Sequence, residues 1–295
     1  MLIKQFLNYL SKEKKYADLT LKAYAKDLYD LDTFLKHQQL TIDKATGQQI
    51  RRWLVSLSEQ NLSERTINRK LAAIKSFYKF LQKTETLQIN PTDGLTGLKI
   101  HRQLPLPFSL DEMEQLLDPE LFKPGYEGIR DFTIIYLLYT TGLRRAELIG
   151  LKESDLDWVK KKLKVTGKRN KQRLIPLLDK TLDVLKNYQQ AKQKYFENRA
   201  VDDFLFLTKK AKKMYDVLVY RLINSYLSKV SVKHKRSPHM LRHTFATHLL
   251  NNGAGLNDIK ELLGHSSLAA TQIYTHSSIE QLKNVYKKSH PRNKN

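Results

Sequence analysis

The stretch SPHMLRHTFATHLL, residues 237–250, holds three histidines and one arginine in fourteen positions. Such side chains can hold a metal ion, grip a phosphate or move a proton. Their spacing separates these options. Pro238 favours the first turn of a helix. At ~100° per residue, His239, Arg242 and His243 then share one face and His248 falls opposite. Leu241, Phe245 and Leu249, at i, i+4 and i+8, form the stripe that faces a core. The three histidines therefore cannot converge on one ion. His239 and His243 could form an i, i+4 metal pair, but Arg242 shares their face, and a fixed cation repels a metal. No acidic residue between Lys235 and Asn257 completes a ligand set. His243 and His248 read as structural histidines. His239 and Arg242, near a helix start whose N–H groups favour anions, fit a phosphate.

Two further stretches carry residues of the same kind. In TTGLRRAEL, residues 140–148, Gly142 ends the apolar run FTIIYLLYTTG. Arg144 then stands at the start of a new helix, and Glu147, at i+3, can orient it. In ELLGHSSLAATQIYTH, residues 261–276, Gly264 reads as a helix stop. His265 follows at once, Ser266 or Ser267 can cap another helix, and Tyr274 lies on it. With 15 tyrosines in the chain, Tyr274 is unmarked by itself.

The elements that must position these residues fall into two groups. Residues 1–90 read as four amphipathic helices. Their stripes are Ile3/Phe6/Leu7/Leu10, Leu21/Tyr24/Leu28/Leu31/Leu35, Ile50/Trp53/Leu54/Leu57 and Ile67/Leu71/Ile74/Tyr78/Leu81. The fourth helix carries Arg65, Arg69, Lys70, Lys75 and Lys79 outside its stripe, as candidate DNA contacts. Residues 91–107 form a linker broken by glycines and prolines, with the boundary near Pro105. Residues 108–295 read as mainly helical, with short strands near 157–159, 162–166 and 173–177. The last two flank the turn Gly167-Lys168-Arg169-Asn170 as a hairpin.

The net charge of +22 points to a polyanionic partner, DNA before an anionic membrane. Residues 1–105 carry 18 basic against 10 acidic side chains and the remainder 34 against 20, so the halves net +8 and +14. A polyanion gripped from two sides fits that distribution. The absence of cysteine excludes disulfides, thiolate nucleophiles and Cys-ligated metals. No apolar run approaches the ~18 residues of a membrane span, and Lys4, Gln5 and Asn8 interrupt the first segment. A cytoplasmic protein is expected.

Taken together, TGLRRAEL, TGKRNKQRLIPL, SPHMLRHTFATHLL, ELLGHSSLAATQIYTH and the terminal HPR resemble the tyrosine recombinase (phage integrase) family. Within it they resemble the bacterial Xer recombinases, the XerC-like branch more than the XerD-like. The resemblance implies a mainly α fold: an N-terminal four-helix, SAM-like core-binding bundle and a C-terminal mixed catalytic domain with a small β-sheet. It implies Arg144 and Arg242 as a clamp on the scissile phosphate and Lys168 as general acid for the leaving 5′-oxygen. His239 would handle a proton, His265 would donate a supporting hydrogen bond, Glu147 would stand behind the clamp, and Tyr274 would be the nucleophile. Arg169 departs from the family's usual hairpin glycine, which leaves Lys168 and Lys171 both open as the acid. Gly255 replaces a usual polar turn residue.

The implied activity is site-specific cutting and rejoining of double-stranded DNA through a 3′-phosphotyrosyl bond, without metal or other cofactor. The expected role is resolution of chromosome dimers at a dif-like site. The implied assembly is a tetrameric synapse, two protomers plus two of a paralogue, with a DNA translocase as a possible activator. The tail residues Ile279, Leu282 and Tyr286 would dock on a neighbouring protomer. The competing readings are a mobile-element integrase, a non-catalytic DNA-binding relative and a metallonuclease.

Overall fold

The computed structural model describes residues 1–100, 106–167, 170–197, 199–264 and 289–291. The chain divides into two compact units, residues 1–103 and 104–295.

The first unit is built from α1 (Leu2–Lys12), α2 (Asp18–Lys36), α3 (Gly47–Glu59) and α4 (Glu64–Lys83). The four apolar stripes become its core, with Phe6, Leu28, Leu31, Leu35, Ile50, Ile74 and Phe77 fully enclosed. Phe6 meets Phe77 edge-on at 5.4 Å between ring centres. Sequence-local caps start two of the helices. Thr46 and Gln49 exchange hydrogen bonds ahead of α3, and Ser63 accepts from the Thr66 N–H ahead of α4. Part of the expected linker belongs to this unit: Leu95 is in its core, and Asn68 on α4 holds both the N–H and the C=O of Leu98, at 2.7 and 2.8 Å.

One candidate DNA contact is corrected here. Lys70 is only 5 % exposed. Its Nζ lies 3.1 Å from Asp27 and 2.6 Å from Asp30, below the ring of Trp53. The ammonium serves to neutralise Asp27, which is fully buried, because a carboxylate enclosed in an apolar bundle is costly without a partner. Arg69 is exposed but gives one guanidinium nitrogen to the same carboxylate. Arg65, Lys75 and Lys79 are exposed. Replacing Lys70 with alanine should therefore cost the chain about 2–3 kcal/mol of stability and leave duplex affinity nearly unchanged. Chemical denaturation and a binding isotherm on the same variant check this.

The second unit starts with α5 (Leu110–Leu116), capped by Ser109 and Glu112 in a reciprocal box. Next come α6 (Tyr126–Thr141) and α7 (Arg145–Gly150), and then β1 (Leu156–Asp157), β2 (Lys162–Thr166) and β3 (Gln172–Pro176). The helices α8 (Asp179–Tyr195), α9 (Asp216–Val230), α10 (Pro238–Asn251) and α11 (Leu256–Leu263) complete it. The central helix is α6, buried almost all round and packed on α8 and α10. The strands form an antiparallel sheet in the order β1-β2-β3, with Leu163 opposite Ile175 and Val165 opposite Arg173. The Gly167 N–H closes the hairpin onto the Lys171 carbonyl at 2.7 Å.

His248 is a structural histidine. It is buried, with Nε2 donating to the Phe108 carbonyl and Nδ1 accepting from the Tyr139 hydroxyl, both at 2.9 Å. A carbonyl can only accept, so the neutral tautomer with a proton on Nε2 is fixed. Burial lowers its pKa, against the opposing effect of the Phe108 carbonyl. Of the tail, residues 289–291 are described. His290 is enclosed against Tyr139 and Phe245 of its own unit, with ring centres 5.3 and 5.8 Å away. Ile279, Leu282 and Tyr286 lie outside the described residues.

Candidate active site

Two helix ends and one hairpin bring the arginines together. Gly142 ends α6 with φ 61°, the left-handed conformation that favours glycine. A Cβ there would strike Phe245 at 2.6 Å and Leu263 at 2.7 Å, so no side chain fits between α6, α10 and α11. The turn puts Arg144 at the N-cap of α7. Glu147, three residues on, accepts the Arg144 backbone N–H at 2.8 Å and its Nη1 at 2.8 Å. Arg144 Nη2 reaches the Gly264 carbonyl at 3.4 Å, and the side chain stays partly exposed.

Arg242 comes from the first turns of α10, whose apolar stripe Leu241, Phe245 and Leu249 is buried as its spacing predicts. Only 5 % of Arg242 is exposed. It donates to the Gly142 carbonyl at 2.6 Å and to the Leu263 carbonyl at 2.7 Å. Burial lowers its pKa to about 10, the Arg144 charge adds to this, and Glu147 opposes it. Arg242 stays cationic at neutral pH. His239, one turn earlier, is exposed.

Arg173 was not singled out in the sequence. It lies on β3, facing inward in phase with Ile175. It takes both oxygens of Glu147, at 2.9 and 2.8 Å, and donates from Nε to the Leu262 carbonyl at 3.0 Å. The signal that could have found it is a guanidinium on the inner phase of an otherwise apolar alternation, RLI. Three arginines thus donate to three consecutive carbonyls at the end of α11: Leu262, Leu263 and Gly264.

Burial by itself would raise the Glu147 carboxyl. Hydrogen bonds and charge from Arg173, and then from Arg144, reverse this and hold its pKa at about 2. The folded value lies below the ordinary 4.5, so the stabilisation is fully present above that pH and fades as pH falls towards 2. It is on the order of 3 kcal/mol. The stability gap between the wild type and Glu147→Gln should shrink by most of that amount, roughly 2–2.5 kcal/mol, between pH 6 and pH 2.5. Denaturant midpoints measured on both proteins check it.

Lys168, His265 and Tyr274 lie outside the described residues. For the first two, the preceding residues, Gly167 and Gly264, are described. A Cβ on Gly167 would sit 3.3 Å from Glu147 Oε1, and Gly264 gives its carbonyl to Arg144. The backbone leading into Lys168 and the backbone leading into His265 both pass the arginine cluster. Among the described residues, no group of three or more His, Asp or Glu side chains is arranged to hold a metal ion. No described helix is long and apolar enough to cross a membrane.

An arrangement of this kind can bind one phosphodiester tightly and stabilise charge that builds on its oxygens. The comparisons agree with that chemistry. Residues 108–281 match the phage integrase family, and residues 3–85 match the N-terminal SAM-like domain of phage integrases. The chain is 35% identical to "Tyrosine recombinase XerC" of Chlorobaculum tepidum, over 98% of this chain and 94% of that one. It is also 35% identical to "Tyrosine recombinase XerD" of Staphylococcus haemolyticus, over 99% of both. The fold matches the XerH site-specific recombinase bound to a palindromic difH substrate, with a TM-score of 0.72 at 21% identity over 97% of this chain and 84% of that one. The chain belongs to the phage integrase family of tyrosine recombinases, enzymes that cut and rejoin DNA.

Proposed function

We propose that this chain is an Xer-type recombinase that resolves chromosome dimers at a dif-like site, with Arg144 and Arg242 as the clamp on the scissile phosphate. The observation that carries this is the convergence of two guanidiniums, from separate helix starts, on the carbonyls that immediately precede His265 and the Tyr274 segment. The Tyr274 oxygen attacks phosphorus, and its proton passes to His239. The P–O5′ bond breaks, and Lys168 protonates the departing O5′. Lys171 is the alternative acid on the same hairpin. His265 donates to a phosphate oxygen. The phosphotyrosyl bond conserves the free energy of the broken linkage, so a 5′-hydroxyl from another strand can reverse the attack and reseal. No step calls for a metal: fixed cations supply the charge, and a positioned acid is worth ~10²–10⁴ in rate.

Duplex binding rests on phosphate contacts, to which Arg65, Lys75 and the exposed part of Arg69 contribute, and should weaken steeply with salt. Recombination joins two duplexes at two sites each. Four protomers are therefore needed; we read them as two of this chain and two of a paralogue, acting in the cytoplasm, with a DNA translocase as the candidate activator.

The test is a nicked suicide duplex carrying the dif-like site. Covalent protein–DNA adduct should accumulate in EDTA. Chelator-sensitive hydrolysis without adduct would replace this reading with a metallonuclease.

A further inference from the structure

One buried side chain of the site, Arg173, touches no reacting atom in the scheme above. Arg173 is buried, and its partner Glu147 is equally enclosed. Two nitrogens of its guanidinium hold both Glu147 oxygens, and the third holds Leu262. Each contact reaches a different part of the machinery. Glu147 fixes Arg144 through both the backbone and the side chain of that residue. Leu262 is three residues from His265. Arg173 itself stands on β3, two residues after Lys171, and a Cβ on Gly167, at the end of the paired strand, would sit 3.3 Å from Glu147 Oε1. Five N–H donors in a rigid plane can fix three bodies at set angles; an ammonium of the same charge cannot.

We infer that Arg173 is a positioning residue for catalysis: it sets the hairpin acid at the distance from the Arg144 clamp at which the leaving oxygen can be protonated. The inference rests on the general-acid reading of the hairpin lysine given above. A buried ion pair serving only as a structural brace is the competing account. The two differ in which chemical step they affect. A misplaced acid slows departure of an oxygen, which leaves as a basic alkoxide. It hardly slows departure of a sulfur, because a thiol has a pKa near 8.5 and leaves without a proton. A loosened fold slows both alike.

The experiment uses the full chain and two suicide duplexes, identical except for oxygen or sulfur at the bridging 5′ position. Arg173→Lys should cleave the oxygen duplex ~10²-fold more slowly than the wild type. It should cleave the sulfur duplex within about tenfold of the wild-type rate, with duplex affinity unchanged. Should Arg173→Lys fold poorly, Arg173→Gln keeps a planar amide that can still donate to Glu147 and should show the same sulfur-selective recovery. Equal losses on both duplexes, or no loss on either, overturn the inference. Lys168→Ala and Lys171→Ala run alongside as references. Sulfur rescue of a lysine variant but not of Arg173→Lys sinks the positioning role alone. If neither lysine variant is rescued, the general-acid reading fails, and the inference fails with it.

Discussion

A Tyr274→Phe chain should bind its site duplex with wild-type affinity and form no covalent adduct with it. The substitution removes one oxygen and nothing else, so packing and charge are conserved. A free phenol in water has a pKa near 10 and is a poor nucleophile. In the proposed scheme cationic guanidiniums stabilise its anion, and no other side chain of the scheme can replace it. The loss should therefore be complete within detection, at least ~10⁴-fold. Denaturing gels of the suicide-duplex reaction read the adduct, and a mobility shift reads binding. Adduct that persists in Tyr274→Phe would move the nucleophile to another of the 15 tyrosines.

Arg242→Ala should abolish adduct formation nearly as completely, by about 10³-fold or more, and for two separable reasons. Its charge is desolvated, so its attraction for a phosphate is screened far less than that of a surface arginine. It also ties α6 to α11, through Gly142 and Leu263. Alanine leaves both carbonyls without that donor, at a cost of about 1–3 kcal/mol in stability. Arg242→Lys separates the two effects. One ammonium restores the charge without spanning both carbonyls, so it should recover part of the binding and little of the rate. Single-turnover cleavage and thermal midpoints on both variants check this, and a Lys variant at full rate would contradict the role of the fork.

Most of the fold was legible because its signals are local. The four N-terminal stripes, the glycine stops at Gly142 and Gly264 and the proline start at Pro238 each act within a turn of chain, and the corresponding helices begin and end there. The hairpin was legible too, from two β-like runs around a polar turn. Residues whose environment depends on distant chain were less visible. Lys70 was read as surface because a helical wheel shows which face it is on, not what stands opposite. What stands opposite is Asp27, 43 residues away in sequence. Arg173 escaped notice because its partners Glu147 and Leu262 lie 26 and 89 residues away. Leu98 reads as linker because nothing local to it announces that Asn68 will hold it.

The three consecutive carbonyls at the end of α11 have a consequence for the resting enzyme. Arginines confined in a half-dry recess need something negative near them at all times, or the recess would flood or collapse. The peptide oxygens of Leu262, Leu263 and Gly264 act as a built-in solvent for these cations. They are oriented before any DNA arrives, and they are dipoles rather than full charges. At Arg242 an incoming phosphate meets these dipoles, while at Arg144 the Glu147 carboxylate holds only Nη1 among the guanidinium nitrogens and Nη2 is set on the Gly264 carbonyl, so little reorganisation energy is left for the moment of reaction.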